Sequence, residues 1–397
     1  MMRLWPMRWS LTAGVYGFGH PRCRAVPRDH RGGAGTLAAV RVDQVIPSLA
    51  SRDAIGVHTR TLSQALREAG VDSEIYYGNC TPDVADQGRP LADLGRPAKD
   101  RWLLYQSSIG SPVYDVLAAR TEPKLVNYHN ITPARLLDAW EPDVAYEVAL
   151  GRTQLERLAP ESRLAVADSA FNETELVEAG YTNTAVVSLL IDMTATGADP
   201  DPGLSDRLAR AGARGGADLL FVGKVSPHKA PHDLVKMLAV YRRLYDPLAR
   251  LHLVGSPLGE RYGPALTAFV AALGLGDAVS VTGSVSAAEL EAYYRAADVF
   301  VCASDHEGFC VPIVEAMGHG VPVVAYGVSA VPETVGDAGL VLADKEPLHF
   351  AASVARVVDD EALRRRLARA AARRVADYSV ERSRRRFVDL VLGAVGN

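Results

Sequence analysis

ADVFVCASDHEGFCVPIVEAMGHGVPVVA, residues 297–325, reads as a strand, a turn, a helix and a second strand in one run. Residues 299–303 are apolar throughout and bounded by polar residues, the pattern of a short strand buried on both faces. Pro312 suits a first helical turn, residues 313–319 continue the helix, and Gly320 can take the left-handed conformation that ends it. On this reading Glu315 sits in the first helical turn and Glu307 on the loop ahead of it. Between them, the amides around Phe309, Cys310 and Val311 lack intrahelical acceptors and face a place where hydrogen bonds and the helix dipole both favour an anion. Two carboxylates flanking an amide nest suit a phosphorylated, hydroxyl-rich ligand. Each carboxylate also has a plainer reading: a first-turn glutamate that steadies the dipole by about 0.3–1 kcal/mol, and a solvated loop residue.

The same alternation of short apolar strands and amphipathic helices runs from residue 40 onward, the mark of an α/β chain with parallel sheets covered on both faces. It occurs twice. Strands are predicted at 40–46, 74–77, 102–105, 125–128, 164–167 and 185–187, then at 219–222, 251–254, 279–281, 299–303 and 322–325. Within the helix predicted at 57–69, Leu62, Ala65, Leu66 and Ala69 recur at helical spacing and Gly70 supplies the stop. Residues 192–206, rich in Pro and Gly and without periodicity, read as the linker between two doubly wound domains.

EGFCVPIVEAMGHGVPVVA, residues 307–325, resembles the donor-site segment of the retaining glycosyltransferases of family 4, with its Glu-x7-Glu motif. FVGKVSPHK, residues 221–229, is similar to that family's phosphate-binding loop, and YHNITP, residues 128–133, to a segment of its first domain. The resemblance spans residue 40 to the C-terminus and implies the GT-B fold: two Rossmann-like domains facing a cleft, with a final helix crossing back. The expected division is an extension at 1–38, disordered or a spurious translation start, an acceptor domain at 39–195, a donor domain at 196–378, and a returning helix at 379–397.

What the resemblance implies for the site can be written residue by residue. A sugar leaving a nucleoside diphosphate develops negative charge on the diphosphate, which Lys224 and Lys229 would meet. The chain has six lysines and two fall in this loop. Many relatives carry Arg at position 224, and Lys lacks its bidentate fork. Glu307 would hold donor-sugar hydroxyls, Glu315 the ribose diol, and Gly308, Phe309, Cys310 and Val311 the phosphates through their amides. His129 follows a strand at its carboxyl end and would contact the donor sugar, and Gly283 would frame the nucleobase. Gly56 permits close approach of phosphate to the first strand-to-helix loop, where Asp53 faces the acceptor or serves only as a turn residue. Asn172 reads instead as a helix cap, with Glu175 completing a capping box.

Composition narrows the alternatives. At 397 residues and 48% hydrophobic, the chain can bury two ordinary cores. A net charge of -4 argues against a dedicated nucleic-acid binder. Cys23, Cys80, Cys302 and Cys310 form no CxxC pair and no disulfide framework, which fits the cytoplasm. No apolar run reaches the ~18–20 residues of a transmembrane helix, which leaves peripheral contact with a bilayer open. The arginine runs in 364–374 and 382–386 read as solvated faces. Asp199 and Asp201 spell a DxD, but in a proline-rich linker with no further ligand nearby, so no metal is assigned. No GxGxxG follows a strand with an acidic partner, against a dehydrogenase. The expectation is a metal-independent, retaining transferase of hexose from a GDP- or UDP-linked donor to an alcohol acceptor, with no cofactor. A catalytically silent nucleotide-sugar-binding subunit, an epimerase and a phosphorylase on the same architecture are the alternatives.

Overall fold

The computed structural model describes residues 40–51, 53–193 and 198–396. The reading of 1–38 as an extension lies outside them, as does part of the linker. Among the described residues, strands β1 (Arg41–Leu49), β2 (Ile75–Cys80), β3 (Arg89–Pro90), β4 (Arg101–Ser107), β5 (Lys124–Tyr128), β6 (Ser162–Ala167) and β7 (Thr184–Val186) form a first sheet in the order β3-β2-β1-β4-β5-β6-β7. Strands β8 (Asp218–Val222), β9 (Arg250–Val254), β10 (Val279–Gly283), β11 (Val299–Cys302), β12 (Val323–Tyr326) and β13 (Gly339–Leu342) form a second, in the order β10-β9-β8-β11-β12-β13. Every pairing between these strands is parallel.

Parallel strands need crossovers, and the helices between them cover both faces of each sheet. Side chains accordingly alternate between two cores. Along β4, Leu103 and Tyr105 join one cluster while Leu104 joins another. Along β8, Leu219 and Phe221 face Leu238 and Phe350, whereas Leu220 packs with Phe300 and Ile313. Such alternation is the two-residue period of a strand acting on an apolar run.

Two strands fall outside the sequence expectations. β3 is an Arg-Pro edge pair, a place where a missing N–H costs nothing, and β13 begins on Gly339; neither carries a β-branched run long enough to read. A further correction concerns the linker. The helix Pro202–Gly212 occupies its second half, capped by Asp201, whose carboxylate accepts from Leu204 N at 2.6 Å. Its Leu204 and Leu208 are buried in the second domain. Asp201 is therefore a helix cap rather than a solvated loop residue.

The helix Val380–Val395, capped by Ser379, returns to the first sheet. Phe387 and Val391 pack with Leu62, Leu66 and Leu104, Ser383 and Ser188 hydroxyls lie 2.7 Å apart, and Arg384 pairs with Glu68. The helix Glu361–Asp377 buries Leu363, Leu367, Ala370 and Ala371 and leaves most of its arginines outward. No helix among the described residues is long and apolar enough to cross a membrane.

Candidate active site

The order of the second sheet reverses between β8 and β11, and open α/β sheets hold ligands beyond the carboxyl ends of the strands at such a point. The loop after β8 carries Lys224 and Lys229, and the loop after β11 carries Ser304, His306, Glu307 and Gly308. Lys229 Nζ donates to Glu307 Oε2 at 2.7 Å, and Ser304 Oγ to Oε1 at 2.7 Å. Both oxygens of a carboxylate that is only 6% exposed are thus engaged. Burial opposes the charge on Lys229, but the adjoining Glu307 carboxylate outweighs it and holds the ammonium above the ordinary lysine value.

Glycines bring three strand ends together beside this pair. A Cβ on Gly255, after β9, would lie 1.9 Å from the carbonyl oxygen of Gly223, after β8, and Gly255 bridges in turn to Gly283 at the end of β10. All three have positive φ, which keeps the rim free of side chains.

Glu315 departs from its expected place. The helix Val311–Gly318 starts on Cys310 as N-cap, so Glu315 stands beyond the first turn, which holds no acidic residue. Tyr294 donates its hydroxyl to Glu315 Oε2 at 2.7 Å and stacks on His319 at 4.6 Å. Desolvation raises the Glu315 carboxyl above the usual range, opposed by Tyr294 and His319. The helix ends as expected, with Gly320 at φ 72°. Phe309 and Cys310 are buried and Val311 half-buried; the Phe309 carbonyl accepts from Thr334 Oγ1 at 2.6 Å.

From the first domain come Asp53, Gly56 and His129. Asp53 caps the helix Ala54–Glu68, accepting from Gly56 N at 3.2 Å, and a Cβ on Gly56 would meet Ala50 O at 2.3 Å. Asp53 is solvent-accessible in a cleft whose walls crowd it: desolvation raises its carboxyl, opposed by the Gly56 amide, His129 and Lys224. The exposed Lys224 faces it from the second domain. His129 is turned inward. Its side chain is 1% exposed, with Nδ1 2.9 Å from Asp168 Oδ2 and Nε2 2.6 Å from Gln106 Oε1. It reaches a cleft ligand only by giving up one of these bonds.

The domains touch along the β11 loop. A Cβ on Gly308 would lie 2.4 Å from Asn130 Cβ, and Ser169 Oγ donates to Gly308 O at 2.7 Å. His306 Nε2 lies 2.8 Å from Asn130 Oδ1. Glu333 of the second domain accepts from Ala170 N at 2.9 Å, at the start of the helix Ala170–Glu178. Ser169 is that helix's cap, accepting from Asn172 N; Asn172 lies inside the helix, with Oδ1 accepting from Asn130 Nδ2 at 3.0 Å, which corrects its reading as a cap. Sequence reasoning missed Ser304, His306, Asp168 and Ser169 as parts of this constellation. Asn130 and His306 lay inside or beside the quoted motifs, while Asp168 and Ser169 carried no signal until β6 was placed beside β5.

Comparisons agree with this architecture. Residues 211–374 match the family model described as Glycosyl transferases group 1. A D-inositol 3-phosphate glycosyltransferase of Kineococcus radiotolerans is 35% identical over 196 residues, covering 45% of this chain and 45% of that protein. One of Thermomonospora curvata is 33% identical over 229 residues, covering 50% and 53%. The chain spans about half the length of the curated relatives it matches. Among solved structures, Anabaena HepE in complex with UDP-glucose has a TM-score of 0.69 at 18% identity, over 89% of this chain and all but 1% of that one, since 99% is covered. A sucrose-phosphate synthase of Thermosynechococcus elongatus has a TM-score of 0.67 at 19% identity, over 88% and 98%. Two parallel-sheet domains in this arrangement, with the last helix returning to the first, are the GT-B fold.

Proposed function

We propose that the chain is a retaining glycosyltransferase that moves a hexose from a nucleoside-diphosphate sugar to an alcohol acceptor in the cytoplasm, without a metal. The observation that carries this reading is the Lys229–Glu307 pair at the strand-order reversal, 2.7 Å apart, with Lys224 opposite Asp53 across the cleft. A diphosphate seated on the glycine rim would share the Lys229 ammonium with Glu307 and take Lys224 as a second counter-charge. Both act as charge grows on the leaving group, where electrostatic stabilisation lowers a barrier most. Glu307, fixed by Ser304 and Lys229, would accept from donor-sugar hydroxyls; Glu315, oriented by Tyr294, would accept from the ribose diol. The acceptor hydroxyl would enter from the Asp53 side and attack the face the diphosphate leaves.

The complex of HepE with UDP-glucose makes UDP-glucose the first donor to try, and the name of the curated relatives makes a phosphorylated polyol the first acceptor. The test is a panel of UDP- and GDP-hexoses with inositol phosphates, saccharides and lipid-linked saccharides, followed by released nucleotide and product anomer. Acceptor-dependent release with retained configuration is the expected result. Binding without turnover across the panel would favour a silent nucleotide-sugar-binding subunit instead.

A further inference from the structure

Two thiols and a carboxylate converge beneath the β11 loop. Cys302 ends β11, and Cys310 caps the helix Val311–Gly318 at φ 69°, a left-handed conformation uncommon for a residue with a Cβ. Both are buried. Cys302 Sγ, Cys310 Sγ and a carboxylate oxygen of Glu307 all lie within 4.8 Å of one another, and Ser304 Oγ is 3.3 Å from Cys302 Sγ. We infer that these side chains form a site for a thiophilic divalent cation, zinc or cadmium, and that its occupation shuts off the donor pocket.

The geometry and the charge both support this assignment. A tetrahedral zinc ion with bonds of about 2.3 Å to sulfur and about 2.1 Å to oxygen holds its ligand atoms roughly 3.5–3.8 Å apart, so the three groups close on an ion by small side-chain rotations. Ser304 Oγ or a water can supply the fourth position. Binding releases one proton from each thiol to solvent. Two thiolates and a carboxylate then bring three negative charges to the two positive charges of the ion. Lys229, already 2.7 Å from Glu307, supplies the balancing positive charge, which a buried anionic cluster would otherwise lack. The ammonium is therefore a partner of the loaded site rather than a competitor.

An ion seated there takes Glu307 and Lys229, the two groups assigned above to the donor. The inhibitory half of the inference rests on that functional reading; the binding half does not. The test uses the full chain with Cys23→Ser and Cys80→Ala removing the other thiols, titrated with cadmium chloride while thiolate-to-metal charge-transfer absorption is followed. One equivalent should bind with the intensity of two thiolates. Cys310→Ala should halve the band and weaken binding by about tenfold or more, and Glu307→Gln should weaken it by about tenfold while the intensity per bound ion stays the same. No saturable band, or a band indifferent to Cys310→Ala, overturns the site. If Cys310→Ala fails to fold by circular dichroism, Glu307→Gln decides, since it leaves both sulfurs in place: unchanged affinity then overturns the assignment. With an active donor in hand, one equivalent of zinc should abolish turnover and a chelator should restore it; binding without loss of turnover overturns the inhibitory half. A chain that transfers no sugar still reports the cadmium band, so the two readings fail separately.

Discussion

His306 Nε2 and Asn130 Oδ1, 2.8 Å apart, join the loop after β11 to the loop after β5 across the domain boundary. Asn130 Nδ2 donates to Asn172 Oδ1 at 3.0 Å and Glu175 Oε2 at 2.9 Å, which fixes its amide so that Oδ1 faces His306. His306 Nε2 is then the donor, and Nδ1 is left to accept from Ser329 Oγ at 3.2 Å. These are the bonds of a neutral imidazole.

Burial, with Arg152 adding to it, lowers the His306 imidazole from the ordinary 6.5 to about 4. The unfolded chain takes up this proton as pH falls through 6.5, while the folded chain resists until about 4. The contribution is therefore fully present above pH 6.5 and is lost progressively between 6.5 and 4, by up to about 3 kcal/mol. Urea denaturation from pH 7 to 4.5 should show a shallower loss for His306→Gln than for the native chain. Parallel slopes would remove His306 from the acid response.

Lys229→Met leaves Glu307 with only Ser304 in a buried position. Loss of the counter-charge should destabilise the chain by roughly 2–3 kcal/mol and lower kcat on the order of a hundredfold or more. Lys229→Arg should recover much of the stability and little of the rate, because the fork cannot occupy the same point. Thermal melts and single-turnover kinetics separate the two effects, and an unchanged kcat in Lys229→Met would end the catalytic assignment.

Gly308→Ala places a methyl 2.4 Å from Asn130 Cβ, so the domains must part locally. The cost is on the order of 1–3 kcal/mol, with kcat/KM falling roughly ten- to a hundredfold as the facing groups separate. Small-angle scattering should report a larger radius of gyration than for the native chain. A native radius with native kinetics would contradict the close approach.

Phe387→Ala removes a fully buried ring that meets His58 edge-on at 5.7 Å. A loss of about 3–5 kcal/mol is expected, read as a lowered thermal midpoint. A midpoint within a degree of native would mean that the returning helix contributes little to the first core.

Much of the fold was legible because most interior strands hold a short, mainly apolar stretch between turn residues, as in residues 299–303. β3 was not, because two edge residues carry no period. The helix Pro202–Gly212 was hidden because proline and glycine at its start read as a loop, although Pro at a first helical position is a common beginning. Glu307 lies on the loop before the helix, as read from the sequence, while Glu315 stands beyond the first turn expected for it, and the surroundings of both were not legible. Ser304 stands only three residues before Glu307 on the same loop and went unread there, whereas Tyr294 reaches Glu315 from 21 residues away and the inward turn of His129 depends on Asp168 and Gln106, 39 and 23 residues away in the chain. Tertiary neighbours of this kind leave no local pattern.

Because the polypeptide passes between the two sheets once before β8 and again at Ser379, the halves share a pair of covalent tethers. One tether would leave any swivel free. Two favour rotation about the line joining them, like a book on its spine, over every other relative movement of the halves.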